Sequence, residues 1–360
     1  MSKSPKHPGR SQLINGFLIV LAFSLLGKLI YDNRGPIHDV LSRNLDPRLI
    51  ALAFGIYLLS LFLTFVRWNW LVRVIDPTFR LRDSLLLGYI GNVYNLVIPG
   101  AVGGDLIKAA FLTKMKINTT KGIASMVLDR ILGLLGLFIL AGGAGISVWS
   151  VAPAVFQRLI LVIWAFLAAG FLGLALIFTQ TLSRLIPESM RGGHGRVGFL
   201  MNELRMISET YRGRLDVVFG SFFLSAFCHG LNVLAFYTVS RAMFPTGLPS
   251  LADHFLMVPL ILFTTAVPLP FGAIGLSEGV SDQLGKLVAH PSGALAMMGF
   301  RVLMYAGALV SACVYLTNLR QVRSLTATAE HLEEELLEES ADDASSVPST
   351  CPPSSHNGNH

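Results

Sequence analysis

Asn95-Leu96-Val97-Ile98-Pro99-Gly100-Ala101-Val102-Gly103-Gly104-Asp105-Leu106-Ile107-Lys108 breaks an apolar region that runs from about residue 83 to 116. Proline removes a backbone donor and ends a helix, and glycines permit the tight turn that follows. A second break, Pro268-Leu269-Pro270-Phe271-Gly272-Ala273-Ile274-Gly275-Leu276-Ser277-Glu278, interrupts an apolar region from about 251 to 289. Each holds a Gly-Ala-Val/Ile-Gly core, opened by Gly100 and Gly272 at an offset of 172, and each sets a carboxylate just beyond it. Lipid cannot satisfy a free N–H or C=O, so a broken helix survives in a membrane only under protein or beside a water-filled cavity. Corresponding breaks in two halves of a chain point to a transporter's binding site.

The rest of the composition agrees with a membrane setting. Of 360 residues, 52% are hydrophobic and only 14% are charged, against roughly 25% charged in soluble domains. The apolar runs are long and unbroken, which excludes the alternating pattern of a β-barrel. A spanning helix needs about 20 apolar residues, and six segments approach that: about 13–30, 49–71, 122–148, 158–180, 216–243 and 294–318. The predicted fold class is an all-α polytopic membrane protein with about six full transmembrane helices and two broken re-entrant helical hairpins. The first span follows basic Lys3, Lys6 and Arg10 and precedes no small-residue cleavage site, so it reads as a retained helix.

Charge gives the expected orientation. Eight acids lie in the tail, from Glu330 to Asp343, with no Lys or Arg after Arg323; the rest carries 28 basic against 14 acidic residues, a net of +14. Such an excess beside apolar spans suits cytoplasmic loops facing anionic lipid, not nucleic acid. Arg67, Arg73, Arg80 and Arg82 precede the first broken region, and Lys114, Lys116 and Lys121 follow it. The loop at 181–215 and the flank after the last span are also basic, whereas 149–157 has no charge and 244–253 has only Asp253. From a cytoplasmic N-terminus, these signs agree only if both broken regions are re-entrant, the first opening from the cytoplasm and the second from outside. That arrangement implies an inverted repeat. The expected organisation is a basic N-terminus (1–12), a transmembrane domain (13–320) and an acidic, largely disordered tail (321–360), in the cell membrane with both termini cytoplasmic. The helix-periodic 196–214 stretch reads either as lying on the inner membrane surface or as an ordinary amphipathic loop helix.

The breaks carry the candidate site residues. A helix starting near Asp105 presents free N–H groups and partial positive charge, which suit phosphate. Lys108 lies one turn on, and Asp105 either pairs with it as an i,i+3 partner or acts as a protonatable coupling group. Glu278 occupies the corresponding first turn in the second break, as a cap or as a site residue. Asp129 and Arg130 are adjacent on a helix and do not face each other, so each needs its own partner. Arg130 can reach Asp105, a lipid phosphate or, by snorkelling, the cytoplasmic surface; Arg301 can pair with Glu278, contact a headgroup or snorkel. His229 and Asn232 share a face and suit hydrogen bonding between spans, with a proton relay as the second reading. Arg67-Trp68-Asn69-Trp70 reads as an interfacial anchor. Cys228, Cys313 and Cys351 form no metal-site or disulfide pattern, and the sequence has no Walker A loop, nucleophile elbow or room for a soluble catalytic domain. No cofactor is expected.

In these residues the chain resembles the lysylphosphatidylglycerol synthase transmembrane family, also called flippase-like domain proteins. The resemblance rests on Asn95, Pro99, Gly103, Gly104, Asp105 and Lys108, on Asp129-Arg130-Ile131-Leu132-Gly133-Leu134, and on Pro268-Leu269-Pro270-Phe271-Gly272 with Gly275 and Glu278. It covers most of 13–320. The family's namesakes carry a soluble aminoacyltransferase domain after this region; none is seen in this sequence, so lysyl transfer is not expected. Other relatives stand alone or accompany glycosyltransferases acting on polyisoprenoid or glycolipid carriers. The resemblance implies movement of an anionic phospholipid or lipid-linked headgroup between leaflets. The rival readings are an intramembrane lipid-modifying transferase and a non-catalytic membrane partner of a soluble transferase.

Overall fold

Capping side chains set where several long helices begin. Asp46 accepts the Arg48 N–H at 2.9 Å ahead of Pro47, Asn118 accepts the Lys121 N–H at 3.0 Å, and Ser292 accepts the Leu295 N–H at 3.3 Å. Such caps satisfy the N–H groups that a first turn leaves free. The computed structural model describes residues 24, 27–28, 30–31, 34–42, 45–97, 103–150, 154–179, 196–244, 246–265 and 273–318. Among these residues the chain is helical, with no strand. The helices are α1 (Arg34–Leu41), α2 (Pro47–Ile75), α3 (Leu81–Val97), α4 (Gly103–Lys114), α5 (Thr119–Val148), α6 (Ala154–Phe178), α7 (Arg196–Tyr211), α8 (Leu215–Met243), α9 (Leu251–Thr265), α10 (Leu276–Leu287) and α11 (Gly293–Thr317).

Among the described residues, five helical runs are long and apolar enough to cross a membrane: α2, α5, α6, the Leu204–Met243 run and α11. The chain is therefore an all-α, multi-pass membrane protein. These runs match five of the six expected spans with shifted ends. Most of the first expected span, the N-terminus, the 181–195 segment and the tail lie outside the described residues. The largest shift is at α7, which passes through one 3-10 turn (Arg212–Arg214) into α8. Ile207 and Tyr211 of α7 are buried, and the Tyr211 hydroxyl donates to the Leu71 carbonyl at 3.1 Å. The helix-periodic stretch thus packs on α2, α5 and α6.

Both broken regions are pairs of short helices. α3 and α4 have 17 and 12 residues, about 26 and 18 Å at ~1.5 Å per residue, each short of a bilayer core of about 30 Å. They lie side by side and antiparallel, with Gly104 against Gly91 and Asn95 at the break and Leu87 clustered with Leu112 further back. α9 and α10 have 15 and 12 residues and likewise pack together.

The helix contacts pair off when the two halves are exchanged. α2 and α8 each have 29 residues, and α4 and α10 each have 12. Matching α2, α3, α4 and α5 to α8, α9, α10 and α11, each contact has its counterpart. α3–α4 answers α9–α10, α4–α5 answers α10–α11, and α3–α11 answers α5–α9. Further, α2–α3 answers α8–α9, α2–α5 answers α8–α11, and α5–α8 answers α2–α11. The equivalent helices α2 and α8 run antiparallel, since Tyr211 just ahead of α8 reaches Leu71 near the end of α2, while Ser60 bonds the Cys228 carbonyl at mid-helix. The halves are therefore inverted with respect to each other.

Candidate functional site

The first site is built on the start of α4. Asn95, in the last turns of α3, accepts the Gly104 N–H on its Oδ1 at 3.0 Å. A Cβ on Gly104 would fall 2.6 Å from the Gly91 carbonyl oxygen and 2.7 Å from Asn95 Oδ1. Only glycine lets the two helices approach this closely beside the break. Gly103 is the first residue of α4, and Asp105 stands in its first turn. The Asp105 carboxylate takes Arg130 Nε at 2.8 Å and Nη2 at 2.5 Å on one oxygen, and Lys108 Nζ lies 3.8 Å from the other. The side chains of Arg130 and Asp105 are 49% and 24% exposed, so this cluster is open to one side. The two sequence motifs, 25 positions apart, meet in one ion-pair cluster.

Asp129 faces elsewhere and has its own partner, as helix geometry requires. Arg67 of α2 grips it with Nε on Oδ1 at 2.8 Å and Nη2 on Oδ2 at 2.9 Å, while Nη1 donates to Ser225 of α8 at 2.7 Å. The next residue, Trp68, offers its ring to Lys108, with Nζ 4.7 Å from the centroid. α2, α4 and α5 thus interlock through two residues each. This corrects the anchor reading of Arg67-Trp68-Asn69-Trp70: the first three are buried and only Trp70, 41% exposed, faces outward. Successive helical residues point about 100° apart, so four in a row cannot share one interface. The interspan hydrogen bonding expected of His229 and Asn232 is partly met: His229 pairs with the Gly133 backbone of α5, while His229 Nδ1 and Asn232 Oδ1 are buried without partners.

The second site repeats the first with different exposure. Gly275 has φ 84°, a left-handed conformation suited to glycine, and its N–H donates to Glu278 Oε2 at 2.8 Å. Arg301 of α11 bonds the other Glu278 oxygen through Nε, and its Nη2 donates to Ser277 Oγ at 2.5 Å. The Glu278 and Arg301 side chains are 0% and 7% exposed. Glu278 is therefore both a cap of α10 and one half of a sealed ion pair. Pro99, Pro270 and Gly272 lie outside the described residues.

Sequence reading missed Arg67 as an ion-pair partner and Trp68, Ser225 and Ser277 as neighbours. Arg67 left a signal, because a charge inside an apolar segment needs a partner; its distance of 62 positions from Asp129 hid which one. Among the described residues, no group of three or more His, Cys, Asp or Glu is placed to hold a metal ion. Chemically, the open cluster offers two cations and a helix N-terminus to an anion, with a carboxylate that such an anion would displace. The sealed pair offers nothing to solvent in this conformation.

Comparison with known proteins agrees with this architecture. The chain is 27% identical over 263 residues to a UPF0104 membrane protein of Methanothermobacter thermautotrophicus, covering 65% of this chain and 72% of the relative. It is 32% identical over 143 residues to Glycosyltransferase AglD of Haloferax volcanii, which covers 38% of this chain but only 22% of that protein. The family described as lysylphosphatidylglycerol synthase TM region matches residues 16–312, more than half of the chain, and the chain belongs to that family.

Proposed function

We propose that this protein moves the anionic headgroup of a membrane lipid, a phospholipid or a polyisoprenoid-linked carrier, between leaflets by alternating access. The observation that carries the reading is the unequal state of two equivalent ion pairs: Asp105–Arg130 is open and Glu278–Arg301 is sealed. Inverted halves that meet at broken helices are the usual frame for such transport. Lys108, Arg130 and the N-terminus of α4 would hold the phosphate. Asp105 and Glu278 would couple the passage to protons or gate it. In this reading both short-helix pairs are re-entrant, the first opening from the cytoplasm and the second from outside, in the cell membrane.

Leaflet exchange in proteoliposomes tests this, with labelled phospholipids and polyisoprenoid-phosphate lipids and products weighed by mass spectrometry. Exchange of one lipid class without a mass change, lost in Asp105→Asn, is the expected result. No exchange of any class, or normal exchange in the variant, would overturn it. A changed lipid mass would favour an intramembrane transferase instead. The similarity to Glycosyltransferase AglD favours a second reading, in which the chain is the membrane partner of a transferase; exchange by the purified chain alone would argue against it.

A further inference from the structure

The inverted halves allow a comparison that a single half does not. Matching α2 to α8 end to end places Arg67 opposite Ala235 and Trp68 opposite Phe236. Matching α5 to α11 by their first residues places Asp129 opposite Leu303; matching them by Arg130 and Arg301 places it opposite Phe300. Ala235, Phe236, Phe300 and Leu303 are all buried in one apolar cluster. Lys108 falls opposite Ser281, whose hydroxyl is spent on the Gly293 carbonyl at 2.6 Å. The second half therefore builds the α8–α11 interface without any counterpart to the Arg67–Asp129 pair. A buried ion pair adds little to stability over apolar packing of similar volume. The fold does not require the pair at this interface, and something other than packing accounts for it.

Its surroundings indicate what that is. Asp129 precedes Arg130, so holding Asp129 fixes the rotation of α5 about its axis and with it the direction of Arg130. Arg67 precedes Trp68, which carries Lys108. Gly133, one turn beyond Asp129, lies beside the guanidinium: a Cβ there would sit in ordinary contact, 3.7 Å from Arg67 Nη2. We propose that Arg67, acting through its two-pronged grip on Asp129, is a positioning residue that aims Arg130 at Asp105 and so pre-forms the anion-binding cluster. The functional part of this inference rests on the lipid-transport reading above; the geometric part does not.

The test keeps the two apart. In full-length chain freed of Cys228, Cys313 and Cys351, cysteines replace Asp105 and Arg130, and a short bifunctional thiol reagent measures how fast they cross-link. Adding Arg67→Met with Asp129→Leu, which imitates the apolar second half, should leave the chain folded and slow cross-linking by about fivefold, since a site must be held to within roughly 10–20°. The same pair of substitutions in the otherwise native chain should raise the lipid concentration for half-maximal exchange by about tenfold or more, with the maximal rate changed far less. Arg67→Lys, which keeps the charge and loses the fork, should fall between. It also carries both readouts if the double variant is poorly folded. An unchanged cross-linking rate overturns the proposal whatever exchange does. Slowed cross-linking in a protein whose native form exchanges no lipid sustains the positioning role and overturns the transport reading alone.

Discussion

The two halves of this molecule solve one geometric problem with opposite electrostatics. Each folds a short helix pair around a Gly-containing break, places a carboxylate in the first turn after it, and pairs that carboxylate with an arginine on the next long helix. In the first half the pair stays partly exposed and collects Lys108, Trp68 and the Arg67–Asp129 grip around it. In the second half the pair is sealed, with Ser277 and the Gly275 N–H among its further partners. An exposed ion pair is worth roughly 0–1 kcal/mol, whereas stripping one partner from a buried pair costs about 3–5 kcal/mol. The same motif should therefore contribute mainly to function in one half and mainly to stability in the other.

That division can be broken experimentally. The largest expected effect is on the sealed pair: Glu278→Gln leaves Arg301 buried without its counter-charge and should lower unfolding stability by about 3–5 kcal/mol. Chemical unfolding in detergent would read this, and a loss under about 1 kcal/mol would mean the second pair is not sealed in solution. Next comes the glycine contact that holds α10 to α11. A Cβ on Gly293 would lie 2.0 Å from the Ser281 carbonyl oxygen, so Gly293→Ala should cost about 1–3 kcal/mol. Gly104→Ala should cost somewhat less, because its backbone obstacle, the Gly91 carbonyl oxygen, would lie at 2.6 Å, although turning Asn95 aside gives up its bond to the Gly104 N–H. The smallest effect belongs to the open pair. Asp105→Asn should shift stability by no more than about 1 kcal/mol while abolishing exchange. A large stability loss there would erase the contrast between the halves.

Much of the architecture was legible in the sequence because lipid imposes a local rule. Every spanning segment must be apolar over about 20 residues, so the spans at 49–71, 122–148, 158–180, 216–243 and 294–318 announced α2, α5, α6, α8 and α11 to within a few residues. The breaks were equally local, since proline and glycine act on the backbone where they stand. Asp105 and Glu278 followed from their position in a first turn, and Arg130 and Arg301 from being charges in apolar surroundings. The surroundings were less legible at α7, where the helix-periodic 196–214 stretch reads as a surface or loop helix while Ile207 and Tyr211 pack it against three spans. The Arg67-Trp68-Asn69-Trp70 reading failed for a related reason. Composition shows that a cluster suits an interface, but the rotation of its helix decides which members face it.

What the sequence determined by itself was therefore the class, the spans, the two breaks and the identity of the charges that cannot be left alone in lipid. Each depends on residues within a turn or two of one another and on the bilayer's demand that backbone groups be satisfied. The partners were decided only in three dimensions. Asp129 turned to Arg67 and not to a neighbour, Arg130 to Asp105, and Arg301 to a Glu278 withdrawn from solvent. Ion pairing is short-ranged and indifferent to separation along the chain, so the packing of α2, α4, α5, α10 and α11 chooses which charges meet and which pair stays exposed.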